Sequence, residues 1–347
     1  MSKNDLSVQK HKVTVKSKLK IYELNYNFKK KIKNTIGIKP FLVAVSGGPD
    51  SLALTALSKD YEKENNTKIY YVLIDHRLRK NSTSEAILVK KLLKKKKINL
   101  TILSNKTKID KNIQSNARDA RYKLLLNYCN RKKIKYILTG HHRDDQIETF
   151  LIRLSRGSGI QGLSSMNNLT KLKNNIKLFR PLLNEKKIDL TILAKFFFGK
   201  VFKDPSNQNQ KYLRTKIRSL LKQFDKSGIE KDKIINSINN LASTRDTLNN
   251  YMSRIIKSCI VRKKNKVYID YEKLFLEPVE IQLKIISGQI KAISSSYYPP
   301  RAKKVMNLIK KIKTKNVLKY TLGGCVILKS GKELVVSRET LKKSKKV

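Results

Sequence analysis

The sequence predicts an α/β fold: a doubly wound, mostly parallel sheet followed by a mainly helical second domain. Three observations carry this. Five short apolar runs, FLVAVS from Phe41, IYYVLID, INLTIL, IKYILTG and IKLFRPLL, alternate with longer segments of helical period. The runs lack polar alternation, as expected for strands buried on both faces. The strand rhythm stops after Pro181, and the loop DPSNQNQ separates it from a helical half. At 347 residues the chain has room for two domains with cores of their own.

Taken in order, residues 1–38 read as a basic leader with a weak helical pattern at Leu24, Phe28 and Ile32, ending near Gly37 and Pro40. Residues 39–205 read as one domain carrying the strand rhythm, and 206–347 as a helical domain with a terminal hairpin. Within the first, Ser82 and Glu85 have capping-box spacing ahead of Ala86, Val89 and Leu93, and Ile113, Ala117, Ala120, Leu124 and Tyr128 form one apolar stripe. Within the second, Ile234, Ile238, Leu241, Arg245, Leu248, Met252, Ile255 and Cys259 follow a 4,3 spacing broken at Arg245, which predicts one long packed helix. The segments YTLGGCVIL and ELVVSRE around Ser330 and Gly331 predict the hairpin.

Lysine and arginine number 78 against 26 acids, a net charge of +52 that calls for a polyanion or counterions. The abundance of Lys, Asn and Ile together, residues of A/T-rich codons, accounts for part of that excess. Cys129, Cys259 and Cys325 are too far apart in sequence for a Cys-x-x-Cys metal or redox pair. No run reaches the roughly 18 residues of a membrane span, and no apolar secretory segment opens the chain. A cytoplasmic protein is the expectation.

The chemistry gathers at strand ends. SGGPDS, Ser46 to Ser51, lies between an apolar strand and a helix-forming run: its two glycines allow a tight turn, Pro49 suits a first helical position, and the helix directs its positive end at the same spot. Such a nest binds phosphate, and a carboxylate there, Asp50, makes sense as a magnesium ligand. The mononucleotide and dinucleotide glycine fingerprints are both absent. Asp75 and His76 in IDHRLR, and His141, His142, Asp144, Asp145 and Glu148 in HHRDDQIET, begin where other strands end, so the three clusters are expected to share one crevice. Arg118 and Arg121 lie about one helical turn apart in NARDARY. Arg214, Lys216 and Arg218 in KYLRTKIR are expected to touch the phosphate backbone of a nucleic acid.

The combination SGGPDS, IDHRLR, NARDARY, GHHRDDQIETFLIRLSRGSGIQGL, RPLL and DPSNQNQKYLRTKIR resembles the tRNA(Ile)-lysidine synthases, members of the PP-loop ATP pyrophosphatases, from about Phe41 to Arg218. The resemblance implies that ATP adenylates the C2 oxygen of the wobble cytidine of an isoleucine tRNA with a CAU anticodon, and that free lysine then displaces AMP. It implies that residues 39–205 are a nucleotide-binding catalytic domain and 206–347 a tRNA-binding domain, and that Ser46, Gly47, Gly48, Pro49, Asp50 and Ser51 hold ATP, Asp50 through magnesium. Asp75 would serve adenylation, and Arg121 with Arg118 would steady phosphate charge. His141, His142 and Asp144 would line the substrate site, while Asp145 and Glu148 hold the lysine amine. Family members often have glycine where this chain has Arg77, which bears on the turn there.

Two other readings compete. A thiolating PP-loop enzyme would need paired cysteines. A non-catalytic basic RNA-binding protein would have no use for clustered carboxylates that repel RNA. The sequence allows a homodimer without requiring one, and it implies no membrane partner.

Overall fold

The computed structural model describes residues 14–78, 81–105, 113–202, 213–296, 299–314 and 318–339. The DPSNQNQ loop lies outside them, as do the first 13 residues of the predicted leader. The described chain divides into two compact units, Met1–Ala242 and Ser243–Val347.

The first unit is built on a six-stranded sheet. Its strands are β1 (Phe41–Val45), β2 (Ile69–Asp75), β3 (Leu100–Ser104), β4 (Tyr136–Leu138), β5 (Leu169–Lys171) and β6 (Lys177–Phe179), in the order β3-β2-β1-β4-β6-β5. All pairings are parallel except that of β5 with β6. Every residue of β1 is buried, as its unbroken apolar run requires. The chain steps from β1 to β2 on one side and reaches β4 on the other. This reversal opens a crevice beyond the carboxyl ends of β1 and β4. β5 was not legible in the rhythm of apolar runs, because its three residues are largely exposed.

Helices α1 (Val15–Thr35), α2 (Pro49–Asn65), α3 (Ser82–Lys94), α4 (Ile113–Arg131), α5 (Arg143–Leu154), α6 (Ile160–Leu163), α7 (Lys187–Phe198) and α8 (Leu213–Lys226) complete this unit, with the start of α9 (Lys231–Cys259). The expected leader is a structural helix: Leu24, Phe28 and Ile32 of α1 are buried in the same core as Phe41, Leu52 and Leu190. Burial of side chains this size contributes about 1.5–3 kcal/mol each, so α1 belongs to the first unit.

The Ser82–Glu85 capping box does not form. Asn81 precedes the helix, and the Glu85 amide donates to its carbonyl oxygen at 2.9 Å. Of the predicted α4 stripe, Tyr128 is buried beside Leu125 and Cys129, whereas Ala117, Ala120 and Leu124 are half-buried and Ile113 is exposed.

The domain boundary expected at 205/206 falls instead after Ala242. Ile217 and Leu221 of α8 share a small core with Ile147 and Leu151 of α5 and Ile238 of α9, which binds this stretch to the first unit.

In the second unit the remainder of α9 is followed by α10 (Tyr271–Phe275), α11 (Val279–Ser294) and α12 (Ala302–Thr314). These accompany five antiparallel strands: β7 (Ile260–Lys263), β8 (Lys266–Asp270), β9 (Leu318–Leu322), β10 (Cys325–Ser330) and β11 (Glu333–Arg338), ordered β7-β8-β11-β10-β9. The predicted hairpin is present, with Ser330 paired to Glu333. YTLGGCVIL, however, is two strands. Gly323 and Gly324, at φ +61° and +76°, form a second two-residue turn that pairs Leu322 with Cys325. Long helix α9 matches the 4,3 row, and its polar interruption, Arg245, is buried and paired with Asp246 at 2.9 Å.

Candidate active site

The SGGPDS turn joins β1 to α2. Gly47 has φ +83°, and a Cβ there would lie 2.6 Å from Val89 Cγ2, so no other residue fits without displacement. The turn is closed by Ser51 Oγ, which donates to the Gly48 carbonyl at 3.0 Å and accepts from the Ser46 amide at 3.1 Å. The Phe202 amide holds the Gly47 carbonyl at 3.2 Å. With Gly48 in the N-cap position and Pro49 opening the helix, no side chain caps α2. Its first amides and positive end therefore remain available for phosphate.

Gly140, which the sequence reading passed over, determines how closely the β4 loop approaches this turn. A Cβ on Gly140 would lie 2.8 Å from the Asp50 carbonyl oxygen and 3.1 Å from the Ser51 amide nitrogen, both backbone atoms. Gly140→Ala is expected to cost about 1–3 kcal/mol as an overpacking substitution, read as a lower urea midpoint with an unchanged slope.

His142 caps α5 in place of a serine or threonine. Its Nδ1 accepts from the Asp144 amide at 3.2 Å, while the His142 amide donates to Asp145 Oδ2 at 3.1 Å. The proton is thereby assigned to Nε2, which faces Asp50 Oδ2 at 3.5 Å and Asp145 Oδ2 at 3.6 Å. Burial opposes a second proton, but the hydrogen bond to Asp50 and the charges of Asp145, Asp50 and Asp144 outweigh it and raise the ring's pKa. The first and third predicted clusters thus meet through one imidazole.

Asp75 is buried at the end of β2 with both oxygens engaged: Oδ1 accepts from the Arg77 amide at 3.0 Å and Oδ2 from Thr83 Oγ1 at 2.7 Å. Burial alone would raise its pKa; these hydrogen bonds and the charge of Arg77 lower it below the usual carboxylate range. Arg77 has φ +53°, the left-handed conformation glycine adopts freely, and its amide is held by Asp75. In this structure Asp75 pins a turn.

The charges that act most on His141 are positive. Thr139 Oγ1 lies 2.8 Å from its Nδ1, and burial, followed by the charges of Arg180, Arg121, Arg118 and Arg214, pushes its pKa down to about 3. Burial, with the charge of Arg118, also depresses Arg121, and Arg118 lies 5.1 Å over the Tyr122 ring. Arg180, which the sequence reading left inside RPLL, is buried, donates to the Asn167 carbonyl and Thr170 Oγ1 at 2.7 and 2.9 Å, and has an unpartnered buried Nε. This wall of guanidinium groups suits phosphate. Because the folded chain refuses a proton at His141 that the unfolded chain accepts, stability should fall as pH drops from about 6.5 toward 3. His141→Asn should flatten that decline in urea midpoints; equal pH slopes in both proteins would count against it.

Glu148, one turn beyond Asp145, is 3% exposed and is met by α8. Arg218 Nε donates to Oε1 at 2.6 Å and its second guanidinium nitrogen to Oε2 at 3.2 Å, with Arg214 Nε 3.3 Å from Oε2. Of the three predicted phosphate contacts, Arg214 and Arg218 thus join the site, and Lys216 is exposed. Gln146 anchors α5 by exchanging two hydrogen bonds with the Met166 backbone at 2.9 and 2.7 Å, and Arg153 binds the Gly162 and Ser165 carbonyls. The long GHHRDDQIETFLIRLSRGSGIQGL block is therefore largely a device for presenting α5.

Magnesium fits at Asp50. Its buried Oδ1 lacks a hydrogen-bond partner, and one carboxylate oxygen beside bound phosphates is the usual protein share of a magnesium shell. All three cysteines are buried and free, and burial pushes the Cys129 thiol up to about 12, which removes it from sulfur chemistry at neutral pH.

A glycine turn at the switch point, a carboxylate beside it and a cationic wall opposite define a PP-loop, ATP-using domain, and a PP-loop domain profile matches residues 21–224. The chain is 37% identical over 303 residues to the tRNA(Ile)-lysidine synthase of Wolbachia pipientis wMel, covering 86% of this chain and 70% of the relative. It is 36% identical over 307 residues to that of Orientia tsutsugamushi strain Boryong, covering 86% and 69%. The chain belongs to the tRNA(Ile)-lysidine synthase family. Among solved structures, the fold resembles the U34-tRNA thiolase NcsA of Methanococcus maripaludis with its 4Fe–4S cluster, with a TM-score of 0.55 and 20% identity over 65% of this chain and 80% of that one. No helix among the described residues is long and apolar enough to cross a membrane.

Proposed function

We propose that this chain ligates free lysine to C2 of the wobble cytidine of an isoleucine tRNA with a CAU anticodon, consuming ATP through an adenylated tRNA. The observation that carries the reading is the meeting of Asp50 and Asp145 at His142 Nε2, 3.5 and 3.6 Å away. Phosphate-loop and carboxylate-helix chemistry thereby share one site, as a two-step ligation needs.

In the first step the Ser46–Ser51 loop and the α2 amides hold the pyrophosphate end of ATP, and Arg121, Arg118 and Arg180 face the charge developing on the α-phosphate as the C2 oxygen attacks. Magnesium, held by Asp50, would neutralise the leaving pyrophosphate. In the second step Asp145 and Glu148 hold the lysine amine. Its reference pKa is about 10.4, so it must surrender a proton to a carboxylate before it attacks C2 and displaces AMP. A guanidinium cannot be deprotonated in this way, which favours lysine over arginine.

The test is AMP release from ATP with and without lysine, with isoleucine tRNA or an unrelated tRNA. Release is expected to require both lysine and the cognate tRNA. Release with neither, or equal incorporation of arginine, would overturn the assignment.

A further inference from the structure

Both oxygens of Glu148 are engaged by cations from α8, Oε1 by Arg218 and Oε2 by Arg218 and Arg214. We infer that Arg218 and the substrate lysine are alternative partners of Glu148, and that tRNA phosphate, by taking Arg218 and Arg214, admits lysine. The inference rests on the placement of lysine at Glu148 proposed above.

The geometry supports competition. Glu148 is 3% exposed, whereas the Arg218 and Arg214 side chains are 31% and 45% exposed, so the guanidiniums stand between the carboxylate and solvent. An amine reaching Glu148 with both in place would crowd a third cation onto one carboxylate. Like charges at such range repel strongly in a half-buried site. α8 is anchored on α5 by Ile217 and Leu221 against Ile147 and Leu151, so release requires rotation of the two side chains and leaves the helix in place. A phosphodiester offers guanidinium the same planar, two-point acceptor that Glu148 does. Exchanging one acceptor for another lets α8 keep its charges satisfied while Glu148 becomes available.

The consequence is positive coupling between tRNA and lysine, which must be reciprocal. It would keep the amine out until the nucleotide it attacks is docked.

The experiment is equilibrium binding of radiolabelled L-lysine to the full chain, without ATP, with and without saturating isoleucine tRNA. In the wild type, tRNA should tighten lysine binding by about tenfold, within the usual coupling range of about 5- to 150-fold. Arg218→Gln should bind lysine about as tightly without tRNA as the wild type does with it, and tRNA should then change the affinity less than about twofold. Arg218→Lys keeps a cation for Glu148 and should retain most of the coupling. An unchanged wild-type affinity on adding tRNA, or an Arg218→Gln variant that binds lysine no more tightly alone, would overturn the competition. Equal loss of coupling in Arg218→Lys and Arg218→Gln would trace the effect to loosening of α8 and overturn it as well. Glu148→Gln separates the two levels: if it leaves lysine affinity intact, the placement of lysine fails. If it abolishes lysine binding while Arg218→Gln has no effect, only the competition fails.

Discussion

Glu148→Gln is expected to release pyrophosphate at close to the normal rate, within about threefold, while lysidine formation falls by roughly 10² to 10⁴, the range for loss of a general base. Adenylated tRNA should accumulate or hydrolyse slowly. The physical reason is division of labour. Adenylation depends on the Ser46–Ser51 loop, Asp50 and the guanidinium wall, whereas the amine needs a carboxylate to take its proton. Partial rescue at higher pH follows, because more lysine is then neutral.

The substitution also leaves Arg218 and Arg214 without the carboxylate they contact. Some stability should be lost, on the order of 1–3 kcal/mol for removing an acceptor from charged donors, so rates must be referred to folded protein. Asp145→Asn should behave similarly in chemistry, but it additionally weakens the α5 cap, since Asp145 Oδ2 accepts the His142 amide. Near-normal lysidine formation in both variants would leave Asp145 as an ordinary helix cap and Glu148 as a structural partner of Arg218 and Arg214. Loss of pyrophosphate release together with lysidine would move them into adenylation.

Asp50→Asn is expected to lower pyrophosphate release by roughly 10² to 10³, the scale for losing one preorganised electrostatic contact to a transition state. The amide keeps the shape of the carboxylate, so the close approach of Gly140 and the capping of α5 should persist, and tRNA affinity should change less than about twofold. Full adenylation in this variant would reduce the SGGPDS turn to a structural element. A parallel loss of tRNA affinity would indicate that the substitution had disturbed the crevice as a whole through His142.

What the sequence by itself determined is what depends on local pattern. Apolar runs without alternation specify strands buried on both faces, and Gly47 and Pro49 specify a tight turn entering a helix. The placement of Asp75, His141 and Asp145 immediately after strand runs puts them at one edge of a parallel sheet whatever the strand order. The motif blocks resembled the right family for the same reason, since their order and spacing are one-dimensional facts.

Tertiary structure alone decided which charges pair. Nothing in the spacing joins Glu148 to Arg218, which are 70 residues apart; that contact exists because Ile217 and Leu221 press α8 against α5. It moved the domain boundary past α8 and brought two of the expected phosphate contacts into the site. Likewise His142 follows no capping pattern that begins with serine or threonine, and Gly140 earns its role from the backbone of a distant helix 2.8 Å away. Leu24, Phe28 and Ile32 made only a weak stripe in a basic segment, yet burial turned that segment into part of the core. Sequence periodicity records which face of an element is apolar, but the neighbour that covers the face, and the charge opposite a charge, are set by packing over long chain separations.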